Sequence, residues 1–195
     1  VGGVLPDPPV PPAPLLPPPE PPGTPAQFGE PAGYLAPAPP PADEIVENAI
    51  AATQHRITTT VTISTGLDYS ITCYVKRGVG GRDFSITSVP SGIRIYFDLT
   101  NGTVGTETNG TGEIESLGNG WFRCVGRGTS TGTSGTTYLQ MTDGTTTGSE
   151  TYDGDGVSSL YIWGAQTEVG SYPTSLIPTS GSTVTRNQDI FTRDG

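Results

Sequence analysis

Basic residues are scarce in this sequence. Nine Lys and Arg stand against nineteen Asp and Glu, which sets the net charge at −10 at pH 7. A field of that sign repels phosphate backbones, and no Lys/Arg-rich run or basic-aromatic interleave offsets it, so no nucleic-acid partner is expected. Histidine is scarcer still. His55, in QHRI at a strand start, is the only one, and no Gly-x-Ser-x-Gly or comparable nucleophile setting accompanies it. It reads as a hydrogen-bonded structural histidine and not as a general base, and no enzymatic activity is expected. Long apolar runs are missing too: none approaches the roughly 20 residues that cross a bilayer. The opening VGGVLPDPP lacks the basic-then-apolar order of a signal peptide, so the expectation is a soluble molecule without a membrane partner. Two cysteines with no partner histidine make no zinc site. Cys73 in YSITCYVKR and Cys124 in WFRCVGRG share the parity of Ile71 and Phe122. That favours buried free thiols, with a disulfide as the alternative.

What is present is Gly, Thr and Ser. Charged residues make up only 14% and hydrophobic residues 32% of 195 positions, and there are 28 glycines. This length holds one sizeable domain plus an extension, and this composition suits short strands joined by tight turns. Apolar alternation marks YSITCYVKR, DFSITSV, GIRIYFDLT, TGEIESLG, WFRCVGRG, TTYLQMTDG and SLYIWGAQTE as strands. Ile57, Val61 and Ile63 with interleaved Thr mark another, and residues 43–50 are expected as a further strand. Between them GVGG, PSG, TNGT, GNG and DGTTTG read as turns and loops, because Gly and Asn tolerate positive φ. Eight or nine short strands without helices imply an all-β fold, a jelly-roll β-sandwich.

Seventeen of the twenty prolines fall in residues 1–41, where no strand or helix periodicity exists. Polyproline II or irregular backbone is expected there. Without Lys or Arg, this segment cannot grip an anionic partner by charge. Residues 1–27 are expected to form an extended arm whose Val, Leu and Pro side chains fill a groove on another protein, and residues 28–195 the sandwich domain.

In GVSSLYIWGAQTEVGSYPTSLIP, residues 156–178, alternation puts Leu160, Ile162 and Gly164 on one side and Tyr161, Trp163 and Ala165 on the other. Both sides are apolar, as in a strand that covers a core with one face and offers a surface with the other. The chain turns polar at Gln166 and Glu168, which predicts hydrogen bonds from these two to the segment that follows, as far as Tyr172. Small Gly164 and Ala165 admit a close neighbour, so Trp163 is expected to pack in the fold more than to serve as an open sugar platform.

These residues carry a resemblance. ADEIVENAI, QHRITTTVTIS, LDYSITCYVKRG, FDLTNGTVGT, IESLGNGWFRC and above all YIWGAQTEVGSYPTSLIPTSGSTVTRNQD look like a domain widespread in tailed-phage virion proteins. It is similar to the concanavalin-A-like and carbohydrate-binding-module-like jelly rolls of tail fibres, head fibres and capsid decorations. The likeness spans roughly residues 28–190 and excludes the proline-rich arm, and both cysteines depart from it. It implies a jelly roll whose last long strand closes the sandwich and whose following segment crosses the surface as an ordered tail. It also implies a place on the phage particle, other virion proteins as partners of the arm, and a homo-oligomer, with a trimer the expected form.

Candidate chemistry is sparse. Asp98, Glu113 and Glu115 could in principle form a glycosidase pair, but nothing in the sequence fixes their separation. Asp153 and Asp155 in TYDGDGVSS resemble the opening of a calcium loop without its later ligands, and read as a tight turn. No cofactor or metal is expected. Tyr74, Arg94, Tyr96, Arg123, Tyr161, Trp163 and Gln166 form the candidate ligand or partner surface, with Lys76, Asp98 and Arg127 sharing strand faces with them. Aromatic rings pack on the apolar faces of sugars while Arg and Gln bind hydroxyls. The same residue types are enriched at protein interfaces, so glycans and proteins are both candidate partners.

Overall fold

The computed structural model describes residues 42–89 and 91–179. The expected arm over residues 1–27, and the end of the expected tail, lie outside the described residues. Among the described residues ten strands follow one another: β1 (Asp43–Val46), β2 (Arg56–Thr62), β3 (Asp68–Arg77), β4 (Asp83–Val89), β5 (Ile93–Asp98), β6 (Thr103–Thr108), β7 (Thr111–Gly118), β8 (Trp121–Thr129), β9 (Ser134–Thr142) and β10 (Ser159–Val169). All the strand pairs are antiparallel, in a first sheet ordered β1-β10-β3-β8-β7 and a second ordered β2-β9-β4-β5-β6. With β6 and β7 set aside as edge additions, the chain alternates between sheets in the order of a jelly roll. Strands β1, β3, β8 and β10 lie in one sheet and β2, β4, β5 and β9 in the other. The expected all-β sandwich is the fold observed.

Alternation explains which faces meet. Ile71, Cys73 and Val75 of β3, Phe122 and Cys124 of β8, and Leu160 and Ile162 of β10 point inward from the first sheet. They meet Phe84 and Ile86 of β4, Ile93, Ile95 and Phe97 of β5, and Leu139 and Met141 of β9. Phe84 and Phe97 are cross-strand partners with ring centroids 6.0 Å apart. Cys73 and Cys124 are also direct cross-strand partners, both buried and both free.

Two expectations need correction. The strand expected over residues 43–50 stops at Val46, because Glu47 turns inward and its carboxylate takes the Arg82 guanidinium in a fork at 2.9 and 2.8 Å. The Tyr152 hydroxyl and the Asp155 N–H donate to the same carboxylate at 2.8 and 2.7 Å. Strand β6 was hidden, since TVGTET has a single apolar residue. It is dictated by the preceding turn, where the Asp98 carboxylate accepts the Thr100 and Asn101 N–H groups at 2.8 and 2.9 Å and folds the chain back onto β5.

Candidate functional site

The outer face of the first sheet carries the aromatic and arginine residues. Strand register arranges them in rows. One row runs Trp163 (β10), Tyr74 (β3), Arg123 (β8), Glu115 (β7). The row beside it runs Glu44 (β1), Tyr161, Lys76, Trp121. Trp163 and Tyr74 tilt against each other with centroids 4.8 Å apart at 49°. Tyr161, Trp163, Tyr74, Lys76, Trp121 and Arg123 are all half-buried, so each is held by its neighbours and still reaches solvent.

Strict alternation would point Gln166 toward the core with Leu160. A β-bulge between Trp163 and Gln166 resets the parity, and Gln166 and Glu168 join the outer face opposite Thr72 and Ser70. Gly164 makes the bulge possible. Its φ is +60°, and a Cβ there would lie 3.0 Å from Tyr74 and 3.3 Å from Leu176. The segment after β10 thus doubles back over this face. Thr174 donates its N–H and hydroxyl to the Glu168 carboxylate at 3.0 and 2.5 Å, Arg123 donates to the Thr174 carbonyl at 3.1 Å, and the Ile177 N–H donates to Gln166 Oε1 at 2.8 Å. Gln166 and Glu168 do hold the following segment, through Thr174 and Ile177, which lie beyond Tyr172. With anchors on β8 and β10, the segment passes over β3, whose outward Ser70 and Thr72 are buried.

Five of the seven candidate residues therefore share one face: Tyr74, Arg123, Tyr161, Trp163 and Gln166. Arg94 and Tyr96 do not join them, because β5 belongs to the second sheet. There Tyr96 is wholly buried under the 143–152 loop and donates to Glu150 Oε2 at 2.6 Å, while Arg94 pairs with Glu150 at 3.1 Å. Burial, and then the Glu150 hydrogen bond, push the Tyr96 hydroxyl up to about 12. The two contacts clamp the 143–152 loop onto β5. Two members of the outer face, Lys76 and Trp121, complete the row that holds Glu44 and Tyr161. The parity of Trp121 with Arg123 was a usable signal for the tryptophan.

Charges on this face are mostly matched. Arg127 pairs with Glu113, and Arg123 lies 3.9 Å from Glu115. The Tyr161 hydroxyl donates to Glu44, which raises its pKa. Glu113 and Glu115 thus serve arginines on the first sheet, and Asp98 caps its turn on the second, so the three carboxylates do not converge. Asp155 accepts the Val157 and Ser158 N–H groups at 2.8 and 2.6 Å, as a tight turn requires, whereas Asp153 accepts the Ala52 N–H at 2.7 Å and so ties its loop to a distant segment. Among the described residues no group of three or more His, Cys, Asp or Glu could hold a metal ion. His55 is buried with its ring 4.8 Å from that of Tyr152.

The sequence matches no family model and no curated protein. One solved structure similar to the chain is described as the EclA C-terminal domain, a sugar-binding protein. Its identity is 16% and its TM-score 0.42, over 70% of this chain and 84% of that one.

Proposed function

We propose that the chain is a display module that binds glycans by adhesion through the outer face of its first sheet. The observation that carries this reading is the pair of rows Trp163–Tyr74–Arg123 and Tyr161–Lys76–Trp121. Four half-exposed rings are set beside two cations on a rigid sheet. Rings of this kind accept the C–H faces of sugars, and Lys and Arg donate to hydroxyls around them. Binding of the whole chain to a glycan array, with parallel melting curves, tests it. Trp121→Ala is expected to fold and to bind the captured glycans about tenfold or more weakly. A Trp121→Ala chain that binds as the parent does overturns the reading, and so does a parent chain that captures no glycan.

A second reading sets this module on a phage particle as a capsid decoration, head-fibre or tail-fibre component. It is favoured by the place of the motif behind the resemblance: YIWGAQTEVGSYPTSLIPT supplies β10, its bulge and the segment clamped across the face. In this reading residues 1–27 anchor the chain to other virion proteins, and the module is a homo-oligomer, with three copies the natural number for a fibre. Mass spectrometry of purified particles should find the chain, and deletion of residues 1–27 should abolish its incorporation. Light scattering that gives the mass of a single chain at high concentration counts against the trimer.

A further inference from the structure

We propose that a separate cleft, where the start of β3, the end of β8 and the returning segment meet, binds the terminal one or two units of a neutral saccharide. The cleft has a volume of about 390 Å³, within the range of about 300–1,000 Å³ usual for small-ligand sites. Its floor is backbone. The turn at Asn109, whose φ is +51°, seats Gly110 against β8. A Cβ on Gly110 would lie 2.3 Å from the Arg127 carbonyl oxygen, and one on Gly128 2.9 Å from that of Asn109. Neither glycine has room for a side chain, so turn and strand are locked together.

The wall is Tyr172, and its setting is the telling observation. Tyr172 is 77% exposed, yet the backbone is anchored on both sides of it. The Gly170 N–H donates to the Asp68 carbonyl at 2.8 Å, and Thr174 is held by Glu168 and Arg123. The Arg127 guanidinium stands 5.8 Å from the ring centroid. A large ring carried on an anchored backbone and open to water suits stacking on a sugar with little backbone ordering cost. Asp68, Asn109, Thr111 and Thr129 also line the cleft, with the Asn109 amide nitrogen turned to the Gly92 carbonyl at 3.4 Å. The Thr129 hydroxyl donates to Asp68 Oδ1 at 2.6 Å, which fixes the carboxylate and leaves its remaining lone pairs for vicinal hydroxyls.

Charge selects among saccharides. Arg127, the one cation lining the cleft, is already paired with Glu113, and the chain carries a net charge of −10. An acidic sugar would meet repulsion with no free cation to offset it. The proposal shares the saccharide class of the adhesion reading but stands on different residues, so the two can fail separately.

Titration calorimetry and amide chemical shifts of the full chain, with glucose, galactose, mannose and N-acetylglucosamine, their disaccharides, and glucuronate as the acidic control, test the cleft. Tyr172→Ala and Asp68→Ala are expected to weaken binding of a neutral sugar about tenfold or more with an unchanged melting temperature, and Trp163→Ala to leave this site intact. Shifts should cluster at Asn109, Thr129 and Tyr172. Sugar binding lost in Trp121→Ala but kept in Tyr172→Ala overturns the cleft and leaves the adhesion face standing. The reverse pattern upholds the cleft and removes the face. Binding of no neutral sugar, or tighter binding of glucuronate, overturns the cleft.

Discussion

Trp163 and Tyr74 face each other across β10 and β3 with ring centroids 4.8 Å apart, and neither ring is closed off from solvent. Packing and surface are therefore properties of the same pair. Deleting a fully buried large aromatic costs about 3–5 kcal/mol. Trp163 is half-buried, so Trp163→Ala is expected to cost about 2 kcal/mol, less than burial in the core would imply. A double-mutant cycle with Tyr74→Ala should give a coupling of about 1 kcal/mol, read from urea unfolding. Strict additivity would mean that the contact contributes nothing.

The bulge at Gly164 couples strand and crossing segment. Gly164→Ala forces an L side chain into left-handed backbone and toward Leu176 and Tyr74, at a cost of about 1–2 kcal/mol. The damage should be local. Hydrogen exchange is expected to speed up at the Thr174 and Ile177 amides, which the bulge positions, and not at core amides of β3. Uniform acceleration across the sandwich would show that the segment has no separate anchorage.

Most strands were legible because their apolar residues alternate against turns of Gly and Asn, and period 2 is the strongest mark a half-buried strand leaves. Strand β6 left no such mark, since the Asp98 turn imposes it from outside. Faces were legible and sheets were not. Parity puts Arg94 and Tyr96 together, but which sheet a strand joins is decided by long-range pairing in the jelly roll. Gln166 shows the other limit: one extra residue at a bulge turns every later side chain to the opposite face.

The two thiols should be inert. Cys73 and Cys124 are cross-strand partners with no exposed surface. Burial pushes the Cys73 thiol up to about 12, and burial with the neighbouring Cys73 raises Cys124 well above the ordinary range. Since the thiolate is the reactive form, an aromatic disulfide reagent at pH 8 is expected to titrate no thiol in the native chain and both in denaturant. One thiol reacting under native conditions would show that β3 and β8 open locally.

Acid should unfold the protein through the network around Glu47. Burial by itself would raise this carboxyl, but the Arg82 fork, the Asp155 N–H and the Tyr152 hydroxyl together hold it below its ordinary value of 4.5. Asp98 and Glu150 are likewise depressed. A carboxyl depressed by folding binds fewer protons in the native state than in the unfolded chain around pH 4. Its contribution is present above the unfolded value and disappears as pH falls through the folded one. The melting temperature is therefore expected to change little between about pH 5 and pH 7 and to drop progressively below about pH 4.5. Glu47→Gln turns the fork on Arg82 into a neutral contact while Asp143 at 2.7 Å and Asp155 at 3.8 Å still face the guanidinium, which should cost about 2 kcal/mol at pH 7. It also removes one titrating group, so the variant's melting temperature must fall less steeply in acid, and the two curves must converge. Parallel curves, measured by circular dichroism at each pH, would place the acid sensitivity elsewhere.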